Sequence, residues 1–212
     1  MHEILEKIRK IGIVPVVALD DAKDALPLAE ALQQGGLPCA EITFRTQAAE
    51  EAIRLISREC PEMLVGAGTV LTTEQADRAA AAGAEFLVSP GFNPRVVKHC
   101  VEKGILITPG CSTPSDIEQA LENGLDVVKF FPAEPSGGLK MIQALAAPYG
   151  QVRFMPTGGI HPENAQEYLR CSRVLACGGS WMVKSELIKT GAFDKIRQLS
   201  QEAAQIVKEC RG

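Results

Sequence analysis

Short apolar segments alternate with longer, helix-forming segments along this chain, and the alternation recurs eight times. A strand followed by a helix, repeated in this way, is typical of parallel βαβ units, because a parallel neighbour is reached only through a crossover connection. Eight such units close most naturally into a (β/α)8 TIM barrel. The predicted strands are Ile13–Leu19, Cys39–Phe44, Leu64–Thr69, Phe86–Ser89, Ile105–Thr108, Val127–Phe131, Arg153–Pro156 and Val174–Cys177.

We therefore predict an α/β fold with a single barrel domain over residues 1–212 and an additional N-terminal helix that begins with Met1–Lys7. A chain of this length buries a sizeable core, and no change of composition marks a boundary between two domains. A doubly wound open sheet is the alternative fold. It is disfavoured because no Gly-x-Gly-x-x-Gly motif follows the first strand.

Composition excludes several classes of function. The net charge of -4 gives no general positive field, so we expect no nucleic-acid partner and no membrane partner. The seven cysteines are scattered and form no Cys-x-x-Cys pair, which predicts reduced thiols in a cytoplasmic protein. The three histidines lie far apart in the sequence, so we expect no metal site and no cofactor.

Lys129 is the most unusual residue of the predicted strands, because it lies within the apolar segment Val127–Pro132. Burial disfavours the ammonium form of a lysine, and the neutral amine is a nucleophile for carbonyl carbon atoms. The alternative is a lysine whose aliphatic stem packs in the core while its ammonium group reaches water. This segment alone does not decide between the two interpretations.

The second predicted strand contributes three polar side chains to one face. Side chains alternate along a strand, so Glu41, Thr43 and Arg45 point to the same side. A carboxylate beside a guanidinium suits an acid/base group next to a site for a substrate carboxylate. The alternative is a structural ion pair between Glu41 and Arg45, which is costly to bury unless it is well hydrogen-bonded.

Glycine pairs follow the seventh and eighth predicted strands, in Thr157-Gly158-Gly159 and Gly178-Gly179-Ser180. Backbone N–H groups at these two places, together with a helix N-terminus, commonly bind phosphate in barrel enzymes, and Ser180 begins a predicted short helix. Either pair alone is explained equally well by an ordinary turn. Their joint occurrence favours a phosphate site.

These residues together predict a metal-independent enzyme that acts on a phosphorylated oxo compound. Lys129 attacks a ketone to form a Schiff base, and Glu41 moves the proton while a carbon–carbon bond breaks. Two alternatives stay open. A phosphate-binding isomerase or epimerase needs no amine at this position, and a non-catalytic sugar-phosphate binding protein needs neither residue to react.

The same segments also resemble a known family, the 2-dehydro-3-deoxy-phosphogluconate (KDPG) aldolases, which include bifunctional 4-hydroxy-2-oxoglutarate aldolases. The resemblance covers almost the whole chain. The segments concerned are Glu41-x-Thr43-x-Arg45-Thr46, Gly66-Ala67-Gly68-Thr69-Val70, Ser89-Pro90-Gly91, Pro109-Gly110, Lys129-Phe130-Phe131-Pro132-Ala133-Glu134, Pro156-Thr157-Gly158-Gly159-Ile160 and Gly178-Gly179-Ser180-Trp181.

This resemblance implies a homotrimeric class I aldolase that cleaves KDPG, a phosphorylated 2-oxo acid, to pyruvate and glyceraldehyde 3-phosphate. The related activity cleaves 4-hydroxy-2-oxoglutarate to pyruvate and glyoxylate, and the sequence does not choose between the two substrates. The resemblance makes Lys129 the Schiff-base lysine and Glu41 the general acid/base. The implied substrate-binding residues are Arg45 and Thr69 at the pyruvate carboxylate, Pro90 and Phe131 along the pocket, and Thr157, Gly158, Gly159, Gly179 and Ser180 around the phosphate.

One segment departs from the family pattern. Related sequences often have an arginine at the end of the first strand, whereas this chain has Ala18-Leu19-Asp20. Arg45 is then the evident group for a substrate carboxylate. This arrangement agrees better with the phosphogluconate branch than with the phosphogalactonate aldolases, which look different on the second strand.

Overall fold

Eight strands and ten α-helices alternate along residues 2–212, which are the residues that the computed structural model describes. Met1, part of the predicted opening helix, lies outside them. The strands are β1 (Ile13–Val17), β2 (Cys39–Thr43), β3 (Leu64–Gly68), β4 (Phe86–Val88), β5 (Ile107–Thr108), β6 (Val127–Phe130), β7 (Arg153–Pro156) and β8 (Cys177–Gly179). The predicted alternation of strands and helices is confirmed.

The helices begin before β1 and follow the strands in turn. They are α1 (Glu3–Ile11), α2 (Ala25–Gln34), α3 (Ala49–Glu59), α4 (Thr73–Ala81), α5 (Pro94–Glu102), α6 (Pro114–Glu122), α7 (Gly138–Ala146), α8 (Pro162–Arg170), α9 (Ser185–Lys189) and α10 (Phe193–Arg211). None of the helices in residues 2–212 combines the length and the apolar character that crossing a membrane requires.

All the strand pairs are parallel, and they form two sheets. The larger sheet has six strands in the order β5-β4-β3-β2-β1-β8, and the smaller sheet pairs β6 with β7. Isolated parallel bridges connect the two sheets on both sides. Gly110 pairs with Lys129 beside β5 and β6, while Thr157 pairs with Gly178 beside β7 and β8.

Only β7 has the predicted boundaries, and the other seven strands differ from the prediction, most of them by one or two residues. β5 contains only Ile107–Thr108, and β8 lies at Cys177–Gly179 rather than at Val174–Cys177. Val174 makes only an isolated bridge with Phe154, whereas Gly179 pairs with Pro15 of β1. A hydropathy pattern reveals a strand through its buried apolar side chains. Gly178 and Gly179 of β8 pair through the backbone and have no such side chains, so the pattern does not reveal them.

Side-chain caps set the start of several helices. The hydroxyl of Thr113 accepts a hydrogen bond from the N–H of Asp116 (3.2 Å), and the Asp116 carboxylate accepts one from the N–H of Thr113 (3.0 Å). This reciprocal capping box satisfies two backbone donors that the first turn of α6 leaves free. Thr72 and Asn93 cap α4 and α5 in a similar way.

The apolar core has two parts, one on each face of the strands. The larger part lies between strands and helices and contains Phe130 and Phe154, whose rings pack edge to face at 6.5 Å. The smaller part joins Ile8 of α1 to Val14 and Val127 near the starts of β1 and β6. α1 therefore packs against the N-terminal ends of the strands.

Candidate active site

The side chains of Lys129 and Glu41 are in contact, although their strands belong to different sheets. Lys129 lies on β6 and is 5% exposed, while Glu41 lies on β2 and is 2% exposed. The Lys129 Nζ atom is 3.5 Å from Glu41 Oε1, so the two groups form a buried ion pair across the structure. The interpretation of Lys129 as a side chain that reaches water is therefore wrong.

The backbone fixes the position of Lys129 on both sides. Its N–H donates to the carbonyl of Pro109 (2.9 Å), and its carbonyl accepts from the N–H of Cys111 (2.8 Å). On the other side it pairs with Met155 of β7. The ammonium group also lies 5.2 Å from the centre of the Phe131 ring, whose face attracts a cation.

A glycine makes room for the carboxylate of Glu41. A Cβ atom at Gly68 on the neighbouring strand β3 would overlap with Oε1 of Glu41. This contact explains the second glycine of the Gly-Ala-Gly sequence of β3, whereas the first, Gly66, makes room for the ring of Phe86. Gly68 allows a charged group to lie beside the strand where an apolar side chain would otherwise fill the space.

The side chain of Arg45, just after β2, is held by Thr43. The hydroxyl of Thr43 donates to the carbonyl of Val17 (2.7 Å) and accepts from Nε of Arg45 (3.1 Å). The alternative of a Glu41–Arg45 ion pair is wrong, because the partner of Glu41 is Lys129. Arg45 is exposed and has no carboxylate partner within residues 2–212, so its guanidinium is available to an anion from solution.

Thr69 follows β3 with an unusual backbone conformation. Its φ angle is 55°, in the left-handed region that β-branched residues rarely adopt. Such a conformation costs about 1–3 kcal/mol and persists where the surrounding structure requires it, often at binding sites. The strain supports a functional placement of the Thr69 hydroxyl at the C-terminal end of β3.

Pro90 follows β4 and lies beside the segment that supports Lys129. A Cβ atom at Gly110 would overlap with the carbonyl group of Pro90, so the two backbones are in close contact. Gly110 itself pairs with Lys129. Pro90 is half-buried and Phe131 is 39% exposed, which leaves both side chains partly accessible at the same end of the strands.

The turn Thr157–Gly159, called here the 157–159 loop, is held by the segment that follows β6. The N–H groups of Ala133 and Glu134 donate to the carbonyls of Thr157 (2.8 Å) and Gly158 (3.0 Å). Because the C=O and N–H of a trans peptide point in opposite directions, the N–H of Gly159 points away from Glu134. The loop can therefore present an N–H group to an anion while its carbonyls are occupied.

The first turns of α8 complete the support of the 157–159 loop. The Asn164 side chain donates to the carbonyl of Gly159 (2.9 Å), and the Tyr168 hydroxyl donates to the carboxylate of Glu134. Gly159 has a φ angle of 82°, and a Cβ atom there would lie 2.6 Å from Cβ of Glu134. Only glycine fits, because both the conformation and the space exclude a side chain.

Three of these supporting residues were not predicted from the sequence as part of the site, namely Glu134, Asn164 and Tyr168. Tyr168 is 2% exposed and lies on the apolar face of α8, which predicts a core residue only. Burial and the adjacent Glu134 carboxylate raise the pKa of Tyr168, so its hydroxyl keeps the proton that it donates. The contact between Tyr168 and Glu134 can be recognised only in the folded structure, because the two residues lie 34 positions apart in the sequence.

The two glycine turns lie side by side, as the sequence predicts. Thr157 pairs with Gly178, which places the 157–159 loop next to Gly179 and Ser180. The predicted short helix after Ser180 is a single 3-10 turn at Trp181–Val183. The nine-residue α8, which begins three residues after Gly159, is the helix whose N-terminus adjoins the loop.

Cys111, next to Gly110, is a buried thiol. It is 1% exposed, and burial raises the pKa of Cys111 to about 12. A thiolate is the reactive form of cysteine, so this residue is not poised as a nucleophile. The other nucleophilic side chain in this region is Lys129, whose Nζ atom lies 3.5 Å from Oε1 of Glu41.

Comparison with known proteins identifies relatives over nearly the whole chain. The family model described as KDPG and KHG aldolase matches residues 4–199. The 2-dehydro-3-deoxy-phosphogluconate aldolase of Treponema pallidum is 56% identical over 207 residues, which are 98% of this chain and 99% of that protein.

Solved structures with the same fold contain small-molecule ligands. The 2-keto-3-deoxy-6-phosphogluconate aldolase of Zymomonas mobilis, solved with 3-phosphoglycerate, superposes with a TM-score of 0.87 at 41% identity and covers 94% of each chain. The KDPG aldolase of Legionella pneumophila, with pyruvate captured as a covalent carbinolamine intermediate, superposes with a TM-score of 0.90 at 38% identity. The match covers 93% of this chain and 96% of that one.

The Tyr168 hydroxyl offers a direct test of the support of the 157–159 loop. Tyr168→Phe keeps the ring in the core and removes only the hydrogen bond to Glu134. We expect faster amide hydrogen exchange at residues 157–160, and a loss of about 0.5–1.5 kcal/mol in the free energy of unfolding. Hydrogen exchange followed by mass spectrometry and urea unfolding measure the two effects.

Tyr149→Phe is the matched control, because the Tyr149 hydroxyl also donates to a carboxylate, that of Glu118, but at the surface (2.8 Å). This control should leave exchange at residues 157–160 unchanged. Equal exchange at these residues in Tyr168→Phe and in the parent protein would show that the Tyr168 hydroxyl does not support the loop.

Proposed function

This chain belongs to the KDPG and KHG aldolase family, and from that membership we propose that it is a class I aldolase that cleaves KDPG to pyruvate and glyceraldehyde 3-phosphate. The observation that supports this function most strongly is the buried contact between Lys129 and Glu41 (3.5 Å). Burying two opposite charges is costly, and a primary amine beside a carboxylate is the arrangement that Schiff-base chemistry requires.

The reaction begins at Lys129. Glu41 accepts a proton from the ammonium group, and the neutral amine attacks the C2 ketone of the substrate to give a carbinolamine. Loss of water then gives a protonated imine between Nζ and C2. This cation serves as the electron sink, so the mechanism requires neither a metal nor another cofactor.

Cleavage of the carbon–carbon bond follows. A base removes the proton of the C4 hydroxyl, the C3–C4 bond breaks, and its electron pair moves to the imine to form an enamine. Glyceraldehyde 3-phosphate leaves as the aldehyde. Protonation of the enamine at C3 and hydrolysis of the imine release pyruvate and restore Lys129. We assign these proton transfers to Glu41, the carboxylate nearest to Nζ.

The two ends of the substrate are assigned to opposite sides of Lys129. We propose that Arg45 and Thr69 bind the pyruvate carboxylate, because Arg45 is fixed by Thr43 and has no carboxylate partner in residues 2–212. A guanidinium fork matches the two oxygens of a carboxylate. Pro90 and Phe131 then line the pocket between the two ends.

The phosphate is assigned to the 157–159 loop and its neighbours. The residues concerned are Thr157, Gly158, Gly159, Gly179 and Ser180. Fixed carbonyls, outward-pointing N–H groups and the N-terminus of α8 support this assignment. The same groups suit the distal carboxylate of 4-hydroxy-2-oxoglutarate, which we include as a second substrate.

The architecture proposed with this function is a closed (β/α)8 barrel in a single domain of residues 1–212. The bridges Gly110 to Lys129 and Thr157 to Gly178, together with the contact between β2 and β6 through Glu41 and Lys129, support closure. A homotrimer and a cytoplasmic location belong to the same proposal. The family resemblance supports the trimer, and an odd number of scattered cysteines suits a reducing compartment.

Lys129→Ala tests the proposed nucleophile. We expect the rate of KDPG cleavage to fall by at least about 10⁴-fold, since no other amine lies where the imine must form. Binding of 3-phosphoglycerate should change little, because its phosphate is assigned to the 157–159 loop. Pyruvate release in a coupled assay and calorimetric titration measure the two quantities.

Lys140→Ala, at an exposed lysine of α7, is the matched control and should cleave KDPG at the parental rate. Cleavage by Lys129→Ala at a rate close to that of the parent would exclude Lys129 as the nucleophile. The outcome would then favour a phosphate-binding barrel that does not use an amine.

Glu41→Gln tests the proposed acid/base. The amide keeps the shape of the side chain but cannot take up a proton, so we expect kcat to fall by about 10²–10³-fold with KM nearly unchanged. Steady-state kinetics with KDPG measure both constants, and Glu122→Gln at an exposed position of α6 is the control. An unchanged kcat in Glu41→Gln would assign the proton transfers to another group.

A further inference from the structure

Four arginines surround a cavity at the end of the strands opposite to Lys129. The cavity has a volume of about 550 Å³, and Arg9, Arg153, Arg170 and Arg211 line it. Arg153 is the first residue of β7, whereas the 157–159 loop follows the last residue of the same strand. The cavity is therefore separate from the candidate active site.

Three of these arginines, Arg153, Arg170 and Arg211, have no carboxylate partner within residues 2–212, whereas several arginines elsewhere in the molecule have one. Arg54, Arg78 and Arg197, for example, each form an ion pair with a nearby acidic side chain. No aspartate or glutamate of residues 2–212 lines the cavity, and of its four arginines only Arg9 has an acidic partner, Glu6, at 2.8 Å.

The guanidinium groups of Arg153 and Arg170 are largely unoccupied. Within residues 2–212, Arg153 makes no side-chain hydrogen bond, although the residue is half-buried. Arg170 is exposed and donates one long hydrogen bond, to the amide oxygen of Gln166 (3.4 Å). Both groups keep most of their donors free for a ligand, because a guanidinium has five N–H donors.

Arg211 is fixed in place without losing its charge. Its guanidinium donates to the backbone carbonyls of Leu169 (3.1 Å), Val174 (2.9 Å), Leu175 (2.7 Å) and Arg9 (3.0 Å). Carbonyl groups are neutral acceptors, so they orient the cation but do not neutralise it. The cavity therefore has a rigid positive wall.

The favourable interaction of cations with helix C-termini accounts for only three of the four arginines. Arg9, Arg170 and Arg211 lie in the last turns of α1, α8 and α10, where cations interact favourably with the helix dipole. Each helix end corresponds to roughly half an elementary negative charge, which is less than the charge of one arginine. Arg153 lies at the start of a strand and has no such role.

We propose that this cavity is a second ligand site, and that it binds a small anion with two or more negative charges, of the phosphate or phosphorylated-metabolite class. Arginine forks match phosphate oxygens in pairs, and the volume is within the usual range for small-molecule sites. The net charge of the chain is -4, so an anion is attracted by this local cluster and not by the protein as a whole.

Inorganic pyrophosphate is a suitable probe, and isothermal titration calorimetry measures its binding to the full-length protein. The double variant Arg153→Gln/Arg170→Gln removes the two least occupied cations. We expect it to lose one class of pyrophosphate site, or to bind there at least about tenfold more weakly than the parent. Its rate of KDPG cleavage should equal that of the parent, which also shows that the variant is folded.

The double variant Arg95→Gln/Lys98→Gln is the matched control. It also removes two positive charges, but near the start of α5, away from the cavity. This control should bind pyrophosphate as the parent does. The proposal is overturned if Arg153→Gln/Arg170→Gln and the control bind pyrophosphate with the same stoichiometry and the same Kd.

Arg170→Gln alone decides the question if the double variant does not fold. Arg170 is exposed at the end of α8, so its replacement does not disturb the core. We expect binding in the cavity to weaken about threefold, since one of several cations is removed. Unchanged affinity in this single variant would likewise overturn the proposal.

Discussion

A lysine and a glutamate removed from water together impose the main constraint on this molecule. Each charge alone would be very costly to bury, and removing one partner of such a pair typically costs about 3–5 kcal/mol. Lys129 and Glu41 lie on strands that do not pair with each other, β6 and β2, so the pair forms only if the strands curve round to face one another. The ion pair therefore depends on an arrangement of strands that brings the two sheets together.

The residues around Lys129 and Glu41 hold the two side chains in place and leave room for a ligand. A backbone hydrogen bond from Lys129 to the Pro109 carbonyl and one from Cys111 to the Lys129 carbonyl fix the strand of Lys129. Gly68 provides the space that the Glu41 carboxylate occupies. Flexible side chains are thus held by rigid strands, which is the usual requirement for accurate positioning in catalysis. The 157–159 loop is held in turn by the chain that follows β6, so the proposed nucleophile and the proposed phosphate site share one support.

Much of the fold and part of the site could be predicted from the sequence, because the signals are local. Buried strands, helix caps and a lysine inside an apolar segment are all visible within a few neighbouring residues. The partners of these residues were not visible. Glu41 pairs with Lys129, 88 positions away, and not with the nearby Arg45. Tyr168 reaches Glu134 across 34 positions, and neither residue has a neighbour in sequence that indicates the contact.

Chemical trapping shows whether Lys129 forms a covalent imine with a 2-oxo acid. The active protein is incubated with pyruvate and sodium borohydride, which reduces an imine to a stable secondary amine, and the modified residue is located by peptide mass spectrometry. Imine formation at Lys129 predicts one reduced pyruvate per chain, attached to that residue, with loss of KDPG cleavage. Fully active protein without an adduct, or an adduct on a different lysine, would contradict it.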